Sequence, residues 1–374
     1  RLENHNPERI AKEVCMNPAA LIPTPDTLQV PWGWFQVLLL LTLFLHIILM
    51  NVMLGSGVIA LVNLFRAGGE PTPLARDISK KLPFAIAFTV NFGIAPLLFV
   101  QVLYGNFLYA SSVLMANFWL LIVALLIIGY YLAYILDYRF DTLHNSRVPI
   151  IGLAVASLLT IGFLMSNNFT LMQRPEAWTR YFDRPTGLLL NFSDPTLIPR
   201  YLHFMVAAIA VGGLSLALLG EWRVRRGDPG AAAAVRSGCN WFAYATIVNF
   251  GIGFWFFGVL PRQVHDLSHF SGVLIAVLLV VAIILGAFSV IYSLQARVMP
   301  TLYTVLAAIF VMLLVRDLVR VAYLRPYFSL ADLEVVPQYS PLLLFLVIFV
   351  AGLALIGWMA RLAWRAVTAG EVRS

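Results

Sequence analysis

A chain of 374 residues that is 61% hydrophobic and only 11% charged, with a mean hydropathy of +0.86, lacks the polar residues to coat a soluble domain of its size. Its apolar runs of about 20 residues exclude a membrane β-barrel, whose strands would alternate over about ten. The sequence predicts an all-α integral membrane protein, and the net charge of +7 needs no nucleic-acid partner, because it follows the membrane topology.

Residues 1–30 form a polar, proline-containing tail that does not read as a signal peptide. Pro31-Trp32-Gly33-Trp34 reads as an interfacial boundary. Nine spans follow, at about 34–65, 83–109, 114–138, 148–168, 196–221, 240–261, 269–296, 299–322 and 340–366. Residues 169–195 are a long outer connection, and Asp194-Pro195 signals the start of the fifth span. The excess of Lys and Arg falls on the side holding the 66–82 loop, the 222–239 loop and the C-terminus. That side is expected to be cytoplasmic, with the N-terminus outside, in a bacterial-type inner membrane.

Two spans share wording. Leu45-His46 is followed nine residues later by Gly55, and Leu202-His203 nine residues later by Gly212. Val90-Asn91-Phe92-Gly93-Ile94 returns as Val248-Asn249-Phe250-Gly251-Ile252, and Arg139 aligns with Arg297. Three matches in register predict a duplication in one orientation. The first four-helix unit covers 31–168 and the second 196–322. Residues 323–374 add an outer loop, a ninth helix and a cytoplasmic end.

Of the six histidines, His5 and His144 lie in polar segments and read as surface residues. An imidazole in a membrane helix is costly and asks for a partner or a ligand. His203 and His269 sit at the outer ends of helices in the second unit, an arrangement suited to the two axial positions of a b-type haem. His265, one turn before His269, is the alternative second ligand. Arg200, Arg262, Arg316 and Arg320 are candidates to hold the haem carboxylates. The competing reading makes both histidines interfacial hydrogen-bonders. The first-unit position equivalent to His269 lies near Ser111-Ser112. His46 is therefore either the sole imidazole of a second haem, with a sulfur such as that of Met115, or a satisfied core residue. Arg316, Asp317 and Arg320 also read as a plain interfacial charge cluster.

No Asp or Glu falls in the middle of a predicted span, which argues against a proton relay through the membrane. Cys15 and Cys239 lie on opposite sides and cannot pair within one chain. No C-x-x-C-H motif attaches a c-type haem.

The run from Phe44 through His46 to Gly55, the VNFGI segment leading to Gly105-Asn106-Phe107, and the His203 helix resemble subunit I of the cytochrome bd quinol oxidases. Tyr323–Tyr327 and the stretch to Tyr339 stand where that family has a Gly-Arg-Gln-Pro-Trp segment. The resemblance implies nine helices, His46 as a ligand at the oxygen-site haem, and His203 as a ligand of the low-spin b haem. Three features depart from the family. His269 stands in place of the family's methionine ligand. Apolar residues around Leu125 and Ala133 replace its paired glutamates, and Pro261–Ser268 replaces its long quinol loop. The expectation is a bd-like membrane cytochrome b without catalytic residues of its own. It would pass electrons between quinone and an extracytoplasmic c-type cytochrome, alongside other membrane subunits. A divergent oxygen reductase and a haem-free scaffold or transporter are the rivals.

Overall fold

The computed structural model describes residues 17–183 and 185–371, so His5 and Cys15 lie outside the described residues. Among these residues, nine helices are long and apolar enough to span a membrane. They are α1 (Trp32–Arg66), α2 (Pro73–Leu114), α3 (Ala116–Arg139), α4 (Arg147–Gln173), α5 (Leu197–Arg225), α6 (Ala232–Gly258), α7 (Phe270–Leu294), α8 (Val298–Leu324) and α9 (Tyr339–Glu371). The protein is a multi-pass, all-α membrane protein.

Several helices outrun the hydropathy signal. α2 begins at Pro73 because the Thr72 side chain accepts the Ala75 amide, and a proline at the first helical position lacks the amide that would otherwise go unpaired. Near its other end α2 bends at Tyr104, whose φ of −136° leaves the helical region. α4 runs on to Gln173, so five residues expected in the following loop are helical.

The helices pack in a pattern that repeats. α1 pairs with α2 and α5 with α6, while α3 pairs with α4 and α7 with α8. The halves meet where α1 crosses α5. At that crossing Gly55 and Gly212, the equivalent glycines of the two copies, touch each other. A Cβ on Gly55 would run into the Ala208 carbonyl, and one on Gly212 into the Gly55 backbone. Lipid tails are as apolar as leucine, so membrane helices associate by close packing, and small residues let their backbones approach. A residue and its repeat equivalent thus meet at the α1–α5 crossing.

The copies differ in closure. α2 also packs against α4, whereas the corresponding α6–α8 pair has no packing of that extent. α9 stands off the bundle, with none of its spanning stretch buried.

The two ends of the bundle also differ. One end carries residues 17–31, 175–183, 185–195, 259–269 and 325–338, and is called the loop-rich end. There Leu28 pairs with Glu334 and Val336 through backbone hydrogen bonds of 2.8 and 2.7 Å, tying the segment before α1 to the segment before α9. Beneath this strap Leu28, Tyr104, Phe107, Trp178 and Phe328 form a core over the first unit. At the opposite end Arg147, 5% exposed, donates to the carbonyls of Gly69, Phe140, Asp141 and His144, locking two loops together.

Candidate functional site

Each unit's spanning histidine faces a glycine on the helix paired with its own. A Cβ built on Gly93 of α2 would stand 2.8 Å from His46 Cε1, and one on Gly253 of α6 would stand 3.3 Å from His203 Cε1. Both glycines thus make room for a ring. The partners of the two rings differ. His46 Nδ1 lies 3.1 Å from the Thr89 carbonyl, which can only accept, so Nδ1 carries the proton and Nε2 keeps its lone pair. His203 Nδ1 is buried, and the polar group beside the ring is Asn249, whose backbone and side chain are its hydrogen-bonding neighbours. Phe204 and Phe256 flank the imidazole, each with ring centroids 6.3 Å away.

His269 lies elsewhere. It is the residue before α7, exposed, and its hydrogen-bond partners are Asp266 and Ser268. Its Nδ1 donates to Asp266 Oδ2 at 2.8 Å, which leaves Nε2 as the lone-pair nitrogen, the posture a carboxylate imposes on metal-binding histidines. Hydrogen bonds from Ser268 and from His269 hold the Asp266 carboxyl below its ordinary range, the Ser268 bonds contributing most. His265 has the opposite tautomer. Its Nε2 donates to the Leu260 carbonyl at 3.2 Å, and its ring packs edge-on against Phe257. In the first unit, the place equivalent to His269 is filled by a polar network in which Ser111 and Ser112 bond Asn168 at 3.3 Å. The Met115 sulfur accepts from Asn167 at 3.4 Å.

Three of the four predicted arginines converge. Arg200, on α5 three residues before His203, is buried, donates to Gln173 Oε1 at 2.9 Å and lies over the Phe256 ring. Arg320 on α8 is 3% exposed, pairs with Asp317 and lies 4.2 Å from the Tyr104 ring centroid. Arg316, one turn before Arg320, packs on Phe169 and is within electrostatic reach of both other guanidinium groups. Two carboxylates serve this group: Asp317, which also accepts from Gln36 of α1 at 2.6 Å, and Asp194, within electrostatic reach of Arg200. The Nε atoms of Arg200 and Arg320 are buried without partners, while the Tyr104 hydroxyl lies against Arg320 and the Tyr323 hydroxyl against Arg200 and Thr196. Three cations, Arg200 and Arg320 buried and Arg316 half-buried, against two carboxylates form a site suited to a further anion. Arg262 is exposed in the 3-10 turn Arg262–Val264 and makes no contact with the three.

Sequence reasoning missed several members of this site. Asn249 sat in the repeated VNFGI string as a marker of duplication, and its position beside His203 needed the α5–α6 packing. Gln173 is the last residue of α4 and Arg174 the first beyond it, both past the point where the hydropathy signal ends. Asp194 was read as a helix start. It does accept the Thr196 amide and hydroxyl, at 2.8 and 2.6 Å, but its other oxygen also sits 3.2 Å from Arg174 Nε.

Neither a protein-family model nor a curated protein sequence matches the chain. Among solved structures, a chain of the bd oxidase from Geobacillus thermodenitrificans superposes with a TM-score of 0.68. The match covers 89% of this chain and 97% of that one at 14% identity. The fold is that of a bd oxidase chain. At this identity the similarity bears out the remote resemblance and the architecture, and the chemistry of the site must be argued from its own residues.

Proposed function

We propose that the chain is a haem-b electron-transfer subunit of a membrane oxidoreductase complex. It would pass electrons between the quinone pool and a c-type cytochrome at the loop-rich end, which the positive-inside rule makes the extracytoplasmic one. The observation carrying this reading is the His203 imidazole, its Nδ1 buried, set in the Gly253 notch one helical turn from the buried Arg200. An imidazole inside an apolar membrane bundle is costly, and a bound ligand offsets that cost. The residues fit a haem: the Gly253 notch and the flanking phenylalanines suit a flat macrocycle, and Arg200, Arg316 and Arg320 suit its carboxylates. When bound, the haem supplies a reversible one-electron couple. The protein's part is to hold it in low dielectric and set its potential through axial ligand and burial.

His269 remains the proposed second ligand, supported by its Asp266-oriented tautomer, and His265 the alternative. Coordination by His269 requires the loop before α7 to turn its exposed ring into the bundle. The Nδ1–H tautomer of His46 supports a second haem in the first unit, and with it the oxygen-reductase reading. Counting haem by pyridine haemochrome separates these readings. One haem per chain supports electron transfer, three would support the reductase, and none supports a scaffold.

A further inference from the structure

The two spanning histidines lie in notches of one design. Thr89 and Gly93 of α2 stand four residues apart, as do Asn249 and Gly253 of α6, so each pair shares one face of its helix. In the first unit Cε1 and Nδ1 of His46 lie 2.8 and 3.0 Å from the Cβ position of Gly93, and the Thr89 carbonyl takes the Nδ1 proton. In the second unit the same edge of the ring leads. Cε1 and Nδ1 of His203 lie 3.3 and 3.5 Å from the Cβ position of Gly253, while Nε2 lies beyond 4 Å. The backbone and the side chain of Asn249 are the hydrogen-bonding neighbours of this ring. A backbone carbonyl can only accept, so a ring nitrogen facing it carries the proton, as in His46.

The two notches are not equivalents in the repeated string, and that sets Asn249 apart. The shared VNFGI matches Asn249 with Asn91, and Gly93 with Gly251 rather than with Gly253. Asn91 is exposed, and its side-chain amide donates to the Ala87 carbonyl of its own helix at 2.8 Å. Gly251 has nothing within 4 Å of its Cβ position. His203 therefore meets α6 two residues further along than the string implies, a step of about 200° around a helix. That step turns Asn249 onto the ring, with its Oδ1 buried. One residue of one string serves its own backbone in the first copy and faces a histidine in the second.

We propose that Asn249 is a positioning residue for His203. Its carbonyl and side-chain oxygen hold the proton on Nδ1, so that Nε2 presents its lone pair as the haem-iron ligand, and the side-chain bond sets how strongly that nitrogen donates. This rests on the haem reading above. A stronger acceptor at Nδ1–H makes the imidazole a better donor, which favours the oxidised metal and lowers the midpoint potential, and a weaker acceptor raises it. Asn91 has no such role, because its amide is committed to Ala87.

The test is a potentiometric titration of the low-spin haem band in the purified holoprotein, for the parent, Asn249→Leu, Asn249→Asp and Asn91→Leu. Leucine is close to asparagine in shape and removes the side-chain acceptor, while aspartate keeps the shape and strengthens the acceptor. Asn249→Leu is expected to raise the midpoint potential and Asn249→Asp to lower it, each by about a fivefold change in the reduction equilibrium, the size that one hydrogen bond supplies. Asn91→Leu should match the parent. Opposite signs at one position separate positioning from a merely structural role, because a loosened bundle would move both variants the same way. If Asn249→Leu loses its haem, Asn249→Asp decides alone, and a lowered potential there supports the role. Any other pattern in a haem-containing parent overturns the positioning role and leaves the haem assignment standing. A haem-free parent would overturn the assignment and the positioning role together.

Discussion

The two units are copies in outline and opposites in finish. In the first, α2 packs against α4, a strap and an aromatic core cover the loop-rich end, and an Asn/Ser network fills the place corresponding to His269. In the second, α6 and α8 lack the matching contact, a loop with exposed His269 joins α6 to α7 where Met115 alone separates α2 from α3, and Asn249 lies beside the His203 ring. Duplication supplies two scaffolds that share one crossing. Closing one of them provides the rigid half against which the other can stay open for a ligand. Buried polar atoms without a partner occur in both units, on Asn51, Thr89, Asn106 and Trp119 in the first and on Arg200 and Arg320 in the second.

The comparison breaks most severely at the shared crossing. Gly212→Val or Gly55→Val pushes a side chain into the opposite backbone, so no rotamer relieves it, and should cost at least about 3 kcal/mol. Thermal unfolding in detergent should show loss of the folded chain. Gly251→Ala, with nothing within 4 Å of its Cβ, should be neutral in the same assay. A tolerated Gly212→Val would contradict the close backbone packing at the crossing.

Next in size is the closure of the first unit at the end opposite the loops. Arg147→Ala leaves four carbonyls short of a donor and should cost about 3 kcal/mol. The same assay reads it, with increased proteolysis of the 66–72 and 139–146 loops as the local sign. An unchanged melting temperature would remove Arg147 from the account.

Smaller again is His46→Ala, which loses one hydrogen bond to the Thr89 carbonyl, about 1 kcal/mol. The low-spin spectrum should persist in this variant. If haem per chain drops while that spectrum stays, the first unit holds its own haem and the contrast between the units narrows.

The smallest effect concerns the exposed dyad before α7. The Asp266 carboxyl is depressed, so its contribution is present above the ordinary carboxyl value of 3.8 and is lost as pH falls below that through the depressed value. Hydrogen exchange of the Ser268 and His269 amides should accelerate below about pH 4, while α1–α5 amides stay protected. Equal acceleration in both regions would show a global transition instead.

Much of this was legible in the sequence. Hydropathy gave the nine spans and the shared strings gave the duplication, because a helix that must cross a bilayer carries its signal locally. Gly55 and Gly212 were visible as repeat equivalents, yet nothing local says that two equivalent residues touch. That depends on how the halves are rotated about each other. The histidines and arginines were found as ionisable groups where such groups are expensive. Their grouping depends on tertiary packing, with Arg200 and Arg320 set among α5, α8 and α2 and Arg262 on an exposed turn. Tyr323, Gln173 and Asn249 carry no signature as single residues, since tyrosine and the amides are common at helix ends.

The most direct test is the reduced-minus-oxidised spectrum and pyridine haemochrome of the purified chain beside those of His203→Ala. The account predicts b-type haem in the parent and loss of the low-spin signal in the variant, with the chain still folded. A haem-free parent, or a variant that retains the full low-spin signal, would contradict it.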